Sequence, residues 1–183
     1  MTVKEAILAA AIELGIDSEV ERYMLGSDDE GKEKVELLLK CFQIVENELA
    51  LDYIPLKAED EIYSVTGNIA FDVLSRSAVR IIGITDSSGN DTTFKLYADH
   101  LITQTGKVKI TYTYTPEKKT LDEESDFKLD VSPRLMGYGI AVEYALICGM
   151  FEEAAVWDRK YKEAIEAVYK ARPAKRMSSR RWA

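Results

Sequence analysis

The apolar residues of this 183-residue chain change period twice, from helical to alternating and back to helical. Strands bracketed by two helical segments exclude an all-helical or an all-β domain, and they read as an insertion between helices that pack together. The alternation is clearest over residues 107–115. Val108, Ile110, Tyr112 and Tyr114 fall on one face of that stretch, and Lys107, Lys109, Thr111, Thr113 and Thr115 on the other. Thr105-Gly106 before it is a turn. From about residue 62 to Pro116 the chain is rich in β-branched and aromatic residues. Residues 69–73 alternate, 79–84 follow, 86–90 form a turn, and 93–97 resume a strand. This predicts about five or six short strands in an antiparallel meander or small barrel.

The flanks carry helix signals. Thr2 and Glu5 form a capping-box pair ahead of Val3, Ala6, Ile7, Ala10 and Leu14, and Gly15 is a natural stop. Ser18 with Glu21 repeats the capping signature and predicts a short helix to about residue 25. An acidic loop, 27–31, precedes a long helix striped by Val35, Leu38, Leu39, Phe42, Val45 and Leu49 and ended by Pro55. After the strands, Ser132 caps a helix with Pro133 at its first position. Gly137, Ala141, Ala145 and Gly149 recur four apart. Such a stripe either admits the N-terminal helix within one subunit or lines a contact between subunits. A second helix from about residue 151 carries Met150, Ala154, Trp157, Tyr161, Ile165 and Val168 on one face, and Asp158–Lys162 and Glu166–Lys170 as i,i+4 pairs. Pro173 blocks its continuation.

The expected fold is therefore α+β. N-terminal helices (1–58) and C-terminal helices (119–171) form a helical bundle. An antiparallel β region (59–118) is inserted between them, and an extended tail (172–183) follows. No uncharged apolar run approaches the roughly 20 residues needed to span a bilayer. Residues 6–12 are too short and too closely flanked by charge for a signal peptide. Cys41 and Cys148 read as buried free thiols in a reducing compartment.

Little in the chain suggests catalysis. Gly137-Tyr138-Gly139 lies inside a helix and lacks the third glycine of a phosphate loop, and no serine sits in a nucleophile elbow. His100 has no marked nucleophile nearby and reads as a surface or packing residue. Glu152-Glu153 and Asp122-Glu123-Glu124 read as acids at helix starts rather than as metal ligands. Trp157 and Tyr161 read as core. The expectation is a non-enzyme without cofactor or metal.

Charge is the unusual feature. The formal net charge is −8, but from Lys170 onward there are six basic residues and no acid. Residues 1–169 thus hold the other 18 basic groups and all 32 acidic ones, a net of −14. Asymmetry of this kind concerns partners rather than fold. The tail residues Arg172, Lys175, Arg176, Arg180, Arg181 and Trp182 admit three readings. They form a solvated terminus, a nucleic-acid-binding segment, or a segment docking into a cleft of another protein. Lys and Arg neutralise phosphates and Trp stacks on bases. The acidic body would repel a polyanion, and Arg and Trp are the types that dominate protein interfaces, so the docking reading is preferred.

Three stretches resemble the head–tail adaptor (head completion, or connector) proteins of tailed bacteriophages. They are the strand ending in a proline at 108–116 with the acidic segment 121–127, the helical pair over 132–168, and the basic tail closing on Arg180-Arg181-Trp182. The resemblance implies a structural virion protein of the phage neck, assembled in the host cytoplasm and not bound to membrane. It implies a homo-oligomeric ring of about twelve copies. That ring would join the portal protein to the next neck or tail component and let DNA pass without specific binding. The portal would be docked by the six tail residues named above. A stopper or tail-terminator ring is the nearest alternative, and a nucleic-acid-binding protein using the basic tail is the alternative from another class.

Overall fold

The computed structural model describes residues 1–27, 29–128 and 131–171, and it mixes five α-helices with two small antiparallel sheets, an α+β arrangement. Its contacts divide the chain into two units, one made of residues 1–45 with 120 onward and the other of residues 46–119.

The first unit is helical. Helix α1 (Val3–Leu14) opens on the capping box: the Thr2 hydroxyl accepts from the Glu5 N–H at 3.1 Å, and the Glu5 carboxylate accepts from the Thr2 N–H at 2.8 Å. Gly15 ends it at φ 69°, donating back to Ala11 and Ile12 carbonyls. Helix α2 (Asp17–Met24) corrects one expectation. Its N-cap is Ile16, which makes no side-chain cap, and Ser18 lies inside the first turn. The Ile16 N–H is still bonded to Ala11 O, so the chain re-enters a helix directly from the Gly15 turn. Asp17 and Glu19 then supply negative charge where the helix dipole is positive. Helix α3 (Lys32–Glu48) follows Gly31. A β-carbon there would lie 2.4 Å from the Glu19 carbonyl oxygen, so glycine is what lets the chain pass α2. The second unit begins within the last turn of α3, at Glu46, and continues as a single π-helical turn (Leu49–Tyr53) before Pro55.

Helix α4 (Pro133–Ile147) starts as its sequence suggests, with the Ser132 hydroxyl accepting from the Leu135 N–H at 3.2 Å. It packs against α1 and against α5 (Phe151–Ala171). A β-carbon on Gly137 would stand 3.0 Å from the Ala9 carbonyl carbon and the Ala10 nitrogen of α1. The small residue therefore serves a helix contact within the chain. Gly149 acts otherwise, its φ of 75° turning the chain from α4 into α5 in open space. Ala154, Tyr161 and Ile165 of α5 are buried, and Lys162–Asp158 (2.7 Å) and Lys170–Glu166 (3.2 Å) pair along its exposed side.

The acidic segment before α4 is tied to the start of the chain. Val3 donates to Glu123 O at 3.0 Å, Lys4 to Leu121 O at 3.2 Å, and Ser125 to Met1 O at 3.0 Å. Asp122, Glu123 and Glu124 thus sit beside the N-terminus of α1, where negative charge is favoured.

The second unit holds the strands β1 (Lys57–Ser64), β2 (Asn68–Ala70), β3 (Ala78–Asp86), β4 (Lys95–Leu96), β5 (His100–Ile102) and β6 (Gly106–Tyr114). They form two sheets, ordered β1-β6-β3 and β2-β5-β4. In a meander, consecutive strands would pair, and here the long strand β6 pairs with β1 and β3 instead. The alternation of β6 is the reason for its central place: Val108, Ile110 and Tyr112 are buried, and Lys107 and Lys109 reach across to Glu61 and Glu59 of β1. Both sheets share one core of Ile69, Leu74, Ile84, Leu101, Val108, Ile110 and Tyr112. Two expected strands shorten. Residues 71–73 form a 3₁₀ turn, because the Phe71 N–H bonds to Asp99 O and the chain then crosses to β3, and of residues 93–97 only 95–96 pair.

Candidate partner-binding surfaces

The six tail residues expected to dock a partner, Arg172, Lys175, Arg176, Arg180, Arg181 and Trp182, lie outside the described residues. What the structure does show is the helix they follow and three groupings of side chains.

The first grouping joins α4 and α5. Tyr138 and Trp157 stack at 6.3 Å with their planes 19° apart. The Lys160 ammonium sits 4.1 Å from the Trp157 ring centre and 5.5 Å from that of Tyr138. From α4 the Arg134 guanidinium lies 5.4 Å from the Tyr138 ring centre, and its Nε donates to the Tyr138 hydroxyl at 2.6 Å. Lys160 also approaches Glu13 of α1 at 3.6 Å. Ser132, Arg134, Leu135, Tyr138, Lys160 and Glu163 line a shallow groove here. The helical spacing predicts Trp157 in the core together with Tyr161. Tyr161 is buried, whereas Trp157 is half-buried and caps the cluster. Two cations already occupy the aromatic faces, and Glu13 pairs with one of them, so the cluster reads as a joint between helices.

The second grouping fastens the β unit. The Tyr112 hydroxyl, carried by β6, donates to Asp60 of β1 at 2.7 Å and accepts from the Arg76 N–H at 3.2 Å. Ser75 donates to the same carboxylate from its N–H at 2.7 Å and its hydroxyl at 2.8 Å. Burial alone would raise the Asp60 pKa, but the Ser75 and Tyr112 donors outweigh it and hold the carboxyl below the usual aspartate range. The segment crossing from β2 to β3 is thereby pinned to both β1 and β6. The Arg76 side chain continues the link, lying over the Tyr114 ring at 5.6 Å and meeting Glu117 at 3.5 Å.

The third grouping surrounds His100. Its Nδ1 lies 2.6 Å from Asp99, and its ring stacks on Tyr97 at 4.6 Å with planes 4° apart. The imidazole beside Asp99 holds that carboxyl below its ordinary value. His100 is thus a stacking partner on one side and a hydrogen-bond partner on the other. Among the described residues no group of three or more His, Cys, Asp or Glu side chains is placed to hold a metal ion.

The two thiols differ from each other. Cys41 is buried as expected. Cys148 is exposed, because it sits at the α4 C-cap just before the Gly149 turn rather than inside a helix face. Burial first, then the neighbouring Glu143 and Cys148, pushes the Cys41 pKa up to about 12. No helix among the described residues is long and apolar enough to cross a membrane.

No protein-family model and no curated protein sequence matches the chain. The side chains that organise these surfaces are only partly foreseeable from sequence. Arg134, Lys160, Asp60 and Ser75 belong to no motif, and most of their partners lie on other elements.

Proposed function

We propose that the chain is a structural ring protein of a phage neck, joining the portal to the tail or to the next connector component while DNA passes through. In this reading α1 to α5 form a helical bundle, the β unit is an insertion in its sequence, and the basic segment after Ala171 docks on the portal. The single observation carrying the reading is the partition of charge. A body of net −14 precedes a stretch with six basic residues that ends on Arg180-Arg181-Trp182-Ala183. The tail supplies cations and one large aromatic anchor for a partner's cleft, and ordering it on binding requires such anchors. An acidic wall suits a channel that DNA must traverse, because like charge prevents phosphate gripping. The resemblance over 108–182 supports the same reading, and so do the many large apolar side chains left exposed on both units, among them Phe151, Ile147 and Tyr63.

Truncation after Ala171 tests it. The shortened protein should keep the helical signal and thermal midpoint of the full chain and lose capture by portal rings of the same phage. Undiminished capture would defeat the docking role. Salt-dependent DNA binding that disappears when Arg180 and Arg181 are neutralised would instead favour the nucleic-acid reading.

A further inference from the structure

The helical unit leaves the turn between α4 and α5 both apolar and acidic. Phe151 is 69% exposed, and Leu146, Ile147 and Val156 are exposed as well. All four fall within residues 146–156, where α4 ends and α5 begins. The turn itself is tight: Gly149 donates to Leu146 O at 3.2 Å and Met150 to Ala145 O at 2.8 Å. Ile147 and Phe151 therefore flank one reversal of the chain, with the exposed Cys148 between them. Large apolar side chains gathered in water at one place mark a contact site.

Charge says what the contact takes. From residue 135 to residue 158 the chain has no lysine, arginine or histidine, and this is its longest run without a cation. Helical spacing sets acids among the apolar residues: Glu143 stands one turn before Ile147, and Glu152 one turn before Val156. Asp158 is paired with Lys162 at 2.7 Å, but Glu143, Glu152 and Glu153 have no ion-pair partner among the described residues. Such a surface repels a nucleic acid and fits a peptide segment that brings cations together with a large apolar side chain. The chain carries one. From Lys170 onward it has six basic residues, no acid, and Trp182 next to Arg180 and Arg181. Arg and Trp are the residue types that anchor protein interfaces.

Length decides whose segment it is. Helix α5 has 21 residues, about 30 Å at 1.5 Å per residue. Trp182 lies 11 residues beyond Ala171, and a fully extended chain covers at most about 36–40 Å over that count. To regain the head of its own α5 the segment would have to run straight back along the helix with almost no slack. A neighbouring copy imposes no such demand.

We infer that residues 172–183 of one copy dock on the α4–α5 turn of another, with Trp182 against Phe151 and Ile147, and Arg180 and Arg181 against Glu152 and Glu153. A contact between two unlike surfaces of one chain is head-to-tail, so it propagates, and it closes into a ring when the rotation permits. This goes beyond the proposed neck role and holds without it. A segment seated on a neighbour is not available to the portal, so the two contacts compete.

Thiol trapping tests it in full-length protein. Cys148 is exposed and Cys41 buried, so the parent offers one accessible thiol, in the patch. A second, size-tagged chain carries Ala183→Cys with Cys148→Ser and offers its thiol at the C-terminus. Oxidation of the mixture by diamide should give the mixed disulfide dimer in excess over both homodimers. Glu152→Gln with Glu153→Gln in the parent should slow its formation about fivefold, and Phe151→Ser should slow it as much or more. These positions are exposed, so circular dichroism should be unchanged. Trp182→Ala in the tagged chain should act likewise. Homodimers in statistical proportion, or a mixed dimer indifferent to these changes, overturn the proposal. So does an intramolecular disulfide as the main product when Ala183→Cys is made alone, since the occupant is then the chain's own segment. Portal capture is scored separately with the Glu152→Gln, Glu153→Gln chain, whose basic segment is intact and which should be captured at least as well as the parent. Trapping without capture loses the neck role and keeps this contact, and capture without trapping does the reverse.

Discussion

The helical unit and the β unit each hold together by a different means. In the helical unit small residues meet backbone: Gly137 lies against Ala9 and Ala10, Gly139 lies under Val45 and Tyr161, and Ala6, Ala10, Ala141 and Ala145 are wholly buried. In the β unit seven side chains make the core, and one of them, Tyr112, is also the hub of a polar clasp through Asp60, Ser75 and Arg76. The first should be sensitive to volume and the second to polarity. Interiors packed to crystal density tolerate neither added nor missing methylenes, whereas a satisfied buried network fails when one donor is removed.

The comparison can be broken in five places, from the largest expected effect down. Phe42→Ala empties a fully buried position of α3. It should cost about 3–5 kcal/mol in urea unfolding. Gly137→Val forces two methyls and a β-carbon into the α1 contact and should cost about 2–3 kcal/mol, less the gain in helix propensity. If it were neutral, the close approach of the two helices would be wrong. Tyr112→Phe keeps the ring but strips a donor from Asp60 and an acceptor from the Arg76 N–H. It should cost about 1–2 kcal/mol, with faster amide exchange at Arg76.

The fourth concerns acid. Asp60 stays ionised to lower pH in the folded chain than in the unfolded one. As pH falls, the unfolded state takes up the proton first. The contribution is therefore complete above the ordinary aspartate pKa of about 3.9 and is lost as pH drops through the depressed folded value. Asp60→Asn should flatten the acid limb of stability without abolishing it, since Asp86, Asp99 and Glu61 are also held low by their hydrogen-bond donors. An unchanged limb would show that the clasp does not depend on charge. The smallest effect is that of Cys148→Ser, expected within about 0.5 kcal/mol at an exposed site. The same change should remove all rapid alkylation by iodoacetamide near neutral pH, because Cys41 is buried and its thiol is held protonated.

The sequence is most readable where one residue states its own role. Thr2 with Glu5, Gly15, Ser132 with Pro133, the Asp86 turn and the alternation of β6 all lie in the structure where local chemistry puts them. Reading fails where the deciding partner is far away. The eight residues of β1 have no apolar alternation, since Ala58, Asp60, Ile62 and Ser64 face inward and two of these are polar for the sake of partners on other segments. Ser18 carries a capping signature, yet Gly15 and Ile16 have already begun the helix. The turn at Phe71 depends on a carbonyl at Asp99. Of the candidate surfaces, Trp157 and His100 stand out in the sequence. The rest do not, because cations that sit on aromatic rings and donors that come from distant segments leave no periodic trace.

The helical unit is discontinuous, and that gives its folding a clock. Helix α1 finds its partner α4 only about 120 residues later in the chain. At synthesis rates of roughly 5–20 residues per second, the alanine-lined face of α1 emerges some 6–25 s before anything exists to cover it. Within that interval the whole β unit is made and can close around its own seven-residue core. The order of birth thus places the inserted unit first in completion. The outer unit, begun earliest, is finished last, when α4 and α5 leave the ribosome.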